Sequence, residues 1–254
     1  MGSFTGFATL VTQEFFRFWR LIRQTIFPPI LTTLLFILIF GFSLGERIQE
    51  IHGFPYILYI IPGLAAMGVM NNAFSNTSTS LYMARFDQSL DNILAAPLKP
   101  IEIVTALVVG GIARGILIGG ITLAVSLLLL KQPLFSWPVT FFFLIQQSIL
   151  FGCWGIIGAL RAKTWDSLAT TQTFVITPLV YLGGVFYSIN LLPDIWKKIS
   201  IVNPLFYMVD GIRYGVLGIL EVPLWHSVAL SGLLTLLLFA LCVYLFQIGY
   251  KLVR

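Results

Sequence analysis

Charge is what this sequence has least of. Its 254 residues hold ten Asp and Glu and fifteen Lys and Arg, 10% in all, where a soluble domain carries roughly 25%. So few charges cannot cover a water-facing surface of this size, which excludes a soluble globular protein. Cysteine is also scarce. Cys153 and Cys242 sit inside apolar blocks with no histidine beside them, so neither a zinc site nor a disulfide framework is expected. His52 and His226 are far apart and lack metal-ligand spacing. No Gly-rich loop ends in Lys-Ser or Lys-Thr, so no nucleotide-phosphate cradle is expected in this chain. No serine or cysteine nucleophile motif stands out, and no carboxylate pair lies within an apolar block, as a proton-coupled pump would need. No basic run tracks a phosphate backbone, so nucleic acid is not an expected partner despite the formal charge of +5. A cleavable signal peptide is not expected either, because Glu14, Arg17, Arg20 and Arg23 precede the first apolar run.

What remains is apolar. Hydrophobic residues make up 58% of the chain and the mean hydropathy is +0.94. They come in long blocks, and a helix needs roughly 20 apolar residues to cross about 30 Å of hydrocarbon. Six blocks qualify: Ile26–Leu44, Tyr56–Leu81, Ile103–Leu130, Val139–Leu160, Leu168–Phe186 and Val228–Ile248. The expected fold is an all-α integral membrane protein with six transmembrane helices.

Basic residues orient it. With a cytoplasmic N-terminus, Arg17, Arg20, Arg23, Arg85, Lys99, Arg161, Lys163, Lys251 and Arg254 fall inside. Arg47, Lys131, Lys197, Lys198 and Arg213 fall outside, and Arg114 lies within a span. Nine against five favours both termini in the cytoplasm. The two three-span halves share no motif, so an inverted-repeat carrier gains no support.

Three segments between or before the spans carry more information. In Thr12–Gln24, Val11, Phe15, Phe18 and Ile22 share one helical face, while Gln13, Arg17, Arg20 and Gln24 share another. This pattern suits a helix lying flat among lipid headgroups, or simply a basic lead-in to the first span. Pro28-Pro29 then marks the bend into that span. In Arg85–Pro100, Phe86, Leu90, Ile93 and Leu94 form a narrow stripe, and Arg85, Asp87, Gln88, Asp91 and Asn92 face elsewhere. Pro97 and Pro100 stop this short cytoplasmic helix, which either docks on a partner or rests on the lipid surface. Glu102 follows at the start of the third span, where the helix dipole favours a carboxylate. In Tyr187–Ser227, prolines at 193, 204 and 223 interrupt an apolar stretch. It is too apolar for an open loop and too broken for a span, so short re-entrant helices are expected.

These segments, in this order, resemble the permease subunits of type-two ABC exporters over essentially the whole chain. The resemblance is most specific in NILAAPLKPIEI at Asn92–Ile103, in TPLVYLGGVFYSINLLP at Thr177–Pro193, and in Asn203-Pro204 followed by Arg213. It implies a homodimer of six-span subunits in the inner membrane, each docked on a separate cytoplasmic ATP-binding-cassette subunit that binds ATP and Mg²⁺. Residues 1–25, with Phe15, Arg17, Arg20 and Arg23, would be the connecting helix, and 26–254 the permease domain. The coupling helix would be Phe86–Ala96, with Arg85, Phe86, Asp87, Leu90, Asp91, Ile93, Leu94 and Glu102 at the ATPase. The re-entrant segment, with Phe186, Tyr187, Asn203, Pro204 and Arg213, would form the outer gate. The second and fifth spans would line the path.

The residues carry polar candidates for that path. Asn71, Asn72, Ser75, Asn76 and Thr79 repeat along the second span, and Thr170, Thr171, Gln172 and Thr173 open the fifth, with Thr177 beyond. Such groups face a wet path or pack helix on helix. Gly111, Gly115 and Gly119 on the third span are a small-residue row for close helix packing. Arg114, roughly 20 Å along that helix from Glu102, needs a partner or water, since an unpaired charge there costs at least about 2.5–3.5 kcal/mol. Substrate and structural partner are equal readings for it. A stand-alone channel or carrier, and an enzyme acting on lipid-linked substrates, are the competing functions.

Overall fold

A computed structural model describes residues 2–20, 22–40 and 50–252. The end of the first expected span, 41–44, lies outside them, as do Arg47 and Arg254. The described chain is almost entirely helical, as lipid requires of a backbone that has no water to bond. Helix α1 (Gly2–Arg20) leads into α2 (Ile22–Leu38). A two-residue hairpin, β1 (Glu50–Ile51) and β2 (Phe54–Pro55), follows, and then α3 (Tyr56–Phe86). The short α4 (Ser89–Ala95) precedes α5 (Pro100–Leu130) and α6 (Trp137–Arg161). Helix α7 (Trp165–Thr171), a π-helical turn (Gln172–Ile176) and α8 (Thr177–Leu182) form one uninterrupted helical run. After it come α9 (Asp194–Val202), α10 (Pro204–Leu217) and α11 (Leu224–Gln247).

Four helices, α3, α5, α6 and α11, are each long and apolar enough to cross a membrane. A fifth candidate is the bent pair of α1 and α2, which meet at 57°. The α7–α8 run covers the expected fifth span only to Leu182. Gly183 and Gly184 end it, with Gly184 at φ +73°, a conformation open to residues without a Cβ. Phe186 therefore lies beyond the helix. The bend into α2 also differs from expectation. It falls between residues 20 and 25, and Pro28 and Pro29 lie inside α2. A proline deprives the carbonyl four residues earlier of its donor, so the pair weakens the helix one turn before itself.

The hairpin was not expected. His52 at φ +54° and Gly53 at φ +78° make its two-residue turn, the geometry that matches strand twist.

Helix α3 is the central element. It packs along both α5 and α6, and its buried residues run from Tyr56 to Leu81. The glycine row of α5 does pack helices together. A Cβ at Gly115 would sit 2.6 Å from Ser148 Oγ of α6, and one at Gly111 3.0 Å from Thr77 of α3. Helix α11 is peripheral. It exposes Leu233, Leu236 and Leu237, the composition of a lipid-facing side.

Candidate functional site

The corner after α3 begins with a strained residue. Gln88 adopts φ +62° and turns the chain sharply into α4. Asp87 accepts the Ser89 backbone N–H at 3.0 Å, and the Ser89 side chain and backbone together hold its carboxyl below the usual carboxylate range. Phe86 and Asp87 thus belong to the end of α3 and the corner, while the short helix itself is 89–95. Ala96 is extended because Pro97 follows it, and Pro100 starts α5 rather than stopping α4. Glu102 accepts the Lys99 backbone N–H at 2.7 Å, closing the first turn of α5.

The stripe on α4 faces inward. Leu90 is buried, and Ile93 and Leu94 pack with Leu10 of α1 and Ile103, Val104 and Leu107 of α5. Phe86, 62% exposed, stands out with Asp87, Asp91 and Asn92. Arg85 does not join that surface. Its guanidinium donates to the carbonyl of Ala159 at 2.6 Å and reaches those of Leu160 and Ala162, so it caps the end of α6.

Helix α1 buries Leu10, Glu14 and Phe18; of the other residues on the apolar face, Val11 packs half-buried against the core and Phe15 is exposed. Glu14 accepts from Ser80 of α3 and, at 2.8 Å, from Arg17, which also donates to the Asn76 carbonyl at 2.9 Å. Buried carboxylates persist when paired and hydrogen-bonded, which these contacts supply. Phe15 is 43% exposed and stacks on Trp19 at 5.7 Å. Arg20 and Arg23 are exposed.

Above this contact lies a cavity of about 330 Å³ between α2, α3, α5 and the π-helical turn. Asn71, Asn72, Ser75 and Arg114 line it, joined by Thr25, Thr32, Thr33, Thr122 and Gln172. Gln172 donates to Asn71 Oδ1 at 3.1 Å, which ties the fifth helical run to α3. The π-turn serves this arrangement: Thr177 bonds the Gln172 carbonyl five residues back, through both its backbone N–H and its hydroxyl. Five expected path residues lie elsewhere, Thr177 of the π-turn bond among them. Asn76 turns toward the α1–α5 contact at Gly110, and Thr79 sits a turn beyond Ser75. Thr170 and Thr173 are exposed on the outer side of their helix. The threonines of α2 carried no sequence signal, since they are spaced within a nearly uniform apolar run.

At the other end of α3 the structure gathers a buried charged network. Arg213 of α10 is fully buried and lies 3.6 Å from Glu221. It donates to the Gly184 carbonyl at 2.6 Å and stacks 4.1 Å from the Tyr59 ring centroid. Glu221 also accepts from Tyr59 and from the Ile189 backbone, while Asp210 accepts the backbone N–H groups of Glu221 and Val222. Asn203 caps α10 by accepting the Leu205 N–H and donates to the Leu179 carbonyl at 2.7 Å, with Pro204 as the first helical residue. Phe186 stacks with Phe40 at 5.5 Å, and its carbonyl accepts from Tyr56. Tyr187 packs with Ile189 and Phe206. Tyr59, Asp210 and Glu221 were not singled out from sequence. Asp210 and Arg213, three apart on a helix, were the available hint.

Among the described residues, no group of His, Cys, Asp and Glu is arranged to hold a metal ion. Among the described residues, the cavity is polar with Arg114 as its one ionisable lining side chain, and the Arg213–Glu221 network lies toward the start of α3.

The family model described as ABC-2 type transporter matches residues 5–217. The inner membrane transport permease YadH of Escherichia coli K12 is 39% identical over 237 residues, covering 93% of each chain. Nodulation protein J of Sinorhizobium fredii is 25% identical over 181 residues, 70% of this chain and 68% of its own. The Rhizobium meliloti nodulation protein J is 24% identical over 183 residues, 70% and 68%.

Proposed function

The chain belongs to the ABC-2 type transporter family, and on that premise we propose that it is the membrane-spanning permease subunit of an ATP-binding-cassette exporter. It works as a homodimer in an inner membrane, driven by separate cytoplasmic ATPase subunits that bind ATP and Mg²⁺. The observation that carries this reading is the family match across residues 5–217, together with a relative named an inner membrane transport permease. The six spans are α2, α3, α5, α6, the α7–α8 run and α11, with both termini cytoplasmic. Residues 1–25 are the connecting helix and 26–254 the permease domain.

The geometry supports a division of labour within that reading. The inward stripe of α4 anchors it to the spans, and Phe86, Asp87, Asp91 and Asn92 are left to meet the ATPase. A rigid short helix fastened on one face transmits a push, whereas a loosely attached one absorbs it. The Asn71–Arg114 cavity belongs to the path, and the Arg213–Glu221 network holds the outer gate.

The test is to co-express the chain with a cassette ATPase from the same genome. Co-purification, and transport in proteoliposomes that needs ATP and both subunits, is the expected result. Transport by the chain alone, with no ATPase added, would replace this reading with a channel or carrier.

A further inference from the structure

The cavity between α2, α3, α5 and the π-helical turn holds one charge. Arg114 is the sole ionisable side chain among the described residues that line it. Among the described residues no carboxylate lies within ion-pair distance of it, and its Nε is buried without a hydrogen-bond partner. Glu14 of α1, which packs against α5 at Gly110, is already held by Arg17 and Ser80. Arg114 is therefore left without a counter-ion among the described residues, and its positive charge sits at the cavity wall. In a low-dielectric surrounding, such a charge attracts an oxyanion far more strongly than it would in water. The planar fork of arginine matches a phosphate or carboxylate in shape as well as charge.

The rest of the wall has two parts. Asn71 and Asn72 each spend one amide N–H on their own helix, at 3.0 Å, which leaves a second donor apiece. Toward the start of α3 the same wall turns apolar, with Leu64 and Met67 one to two turns before Asn71 and Phe36 contributed by α2. Polar donors around a cation, continuous with an apolar stretch of wall, fit a molecule that carries an oxyanion on a hydrocarbon body.

We propose that Arg114 and its amide neighbours bind the phosphate or carboxylate headgroup of an anionic amphiphile. This deepens the exporter reading, on which it rests for taking the cavity as part of the cargo route. A membrane lipid and an exported lipid-like compound would both present this chemistry.

The probe is radiolabelled dodecyl phosphate, bound to the purified full-length chain in a neutral maltoside detergent, with dodecanol and inorganic phosphate as competitors. Saturable binding is expected, weakened at least tenfold by Arg114→Gln. It should fall by an intermediate amount in Arg114→Lys, which keeps the charge but not the fork, and change less than threefold in Arg161→Gln, a cation on the exposed end of α6. Dodecanol should compete poorly. Inorganic phosphate should compete only at concentrations at least tenfold higher, which would assign the site to an amphiphile. If phosphate competed as well as dodecyl phosphate, the amphiphile would be overturned in favour of a free anion. Equal binding by wild type and Arg114→Gln, or full competition by dodecanol, would overturn the proposal outright. Should Arg114→Gln fail to fold, Asn72→Ala is expected to weaken binding several-fold, and unchanged binding there would count against the site. No ATPase is present in this assay, so a negative result leaves the exporter reading standing, while failed co-purification leaves the binding site standing.

Discussion

Arg213 shows how much a single buried charge can organise. It reaches Glu221, the Gly184 carbonyl and the Tyr59 ring at once, so it joins α10, the turn after α8 and α3. Removing one member of a buried pair leaves the other charged and unpaired, which costs about 3–5 kcal/mol. Arg213→Met is therefore expected to lower the melting temperature sharply in detergent, and adding Glu221→Gln should restore part of the loss. A melt unchanged by Arg213→Met would mean that the network is ornamental. Gln88 offers the opposite sign. Its φ of +62° strains any residue with a Cβ by roughly 1–2 kcal/mol, so Gln88→Gly should raise the melting temperature modestly. Gln88→Val, β-branched, should lower it.

Among the elements, α4 separates two roles that its sequence blends. The apolar stripe read from periodicity is real, but Leu90, Ile93 and Leu94 use it to hold the helix to α1 and α5. Leu90→Ala should cost about 2–5 kcal/mol of stability, the usual range for a buried leucine. Asp91→Ala and Phe86→Ala should leave the melt nearly unchanged and instead reduce transport and ATPase co-purification. If Phe86→Ala melted early while co-purification held, the assignment of the two faces would be reversed. The α1–α2 elbow follows the same logic. Its bend precedes Pro28 and Pro29 because a proline disturbs the turn before it.

For the whole molecule, the exposed side of the α7–α8 run is the informative surface. Phe174 is 74% exposed there, beside Val175 and Tyr181. In a homodimer with the path between subunits, this side meets a second copy. The native cysteines are both buried, so their replacement by serine or alanine gives a background for engineered thiols. Phe174→Cys in native membranes is then expected to cross-link as a dimer, while Leu236→Cys on the lipid side of α11 should not. Topology has its own check. A cysteine at Pro133 should react with a membrane-impermeant maleimide in intact cells, and one at Lys163 should react only after the membrane is opened. Labelling at 163 but not at 133 in intact cells would contradict cytoplasmic termini.

Long apolar blocks determined by themselves that this is a membrane protein of helices, because lipid leaves a backbone few other ways to satisfy its polar groups. The resemblance in order of the segments 92–103, 177–193 and 203–213 led to the family that the comparison bears out. Burial was not legible in the same way. In a chain this apolar, the sides facing lipid and protein share one composition, so periodicity did not single out the buried Leu10 and Glu14 of α1 or the threonines of α2. Only tertiary packing decided that Arg85 caps α6, that Glu221 meets Arg213, and that Arg114 faces a polar cavity with no carboxylate of the described chain to answer it. Each depends on contacts between residues distant in sequence, and no local pattern encodes them.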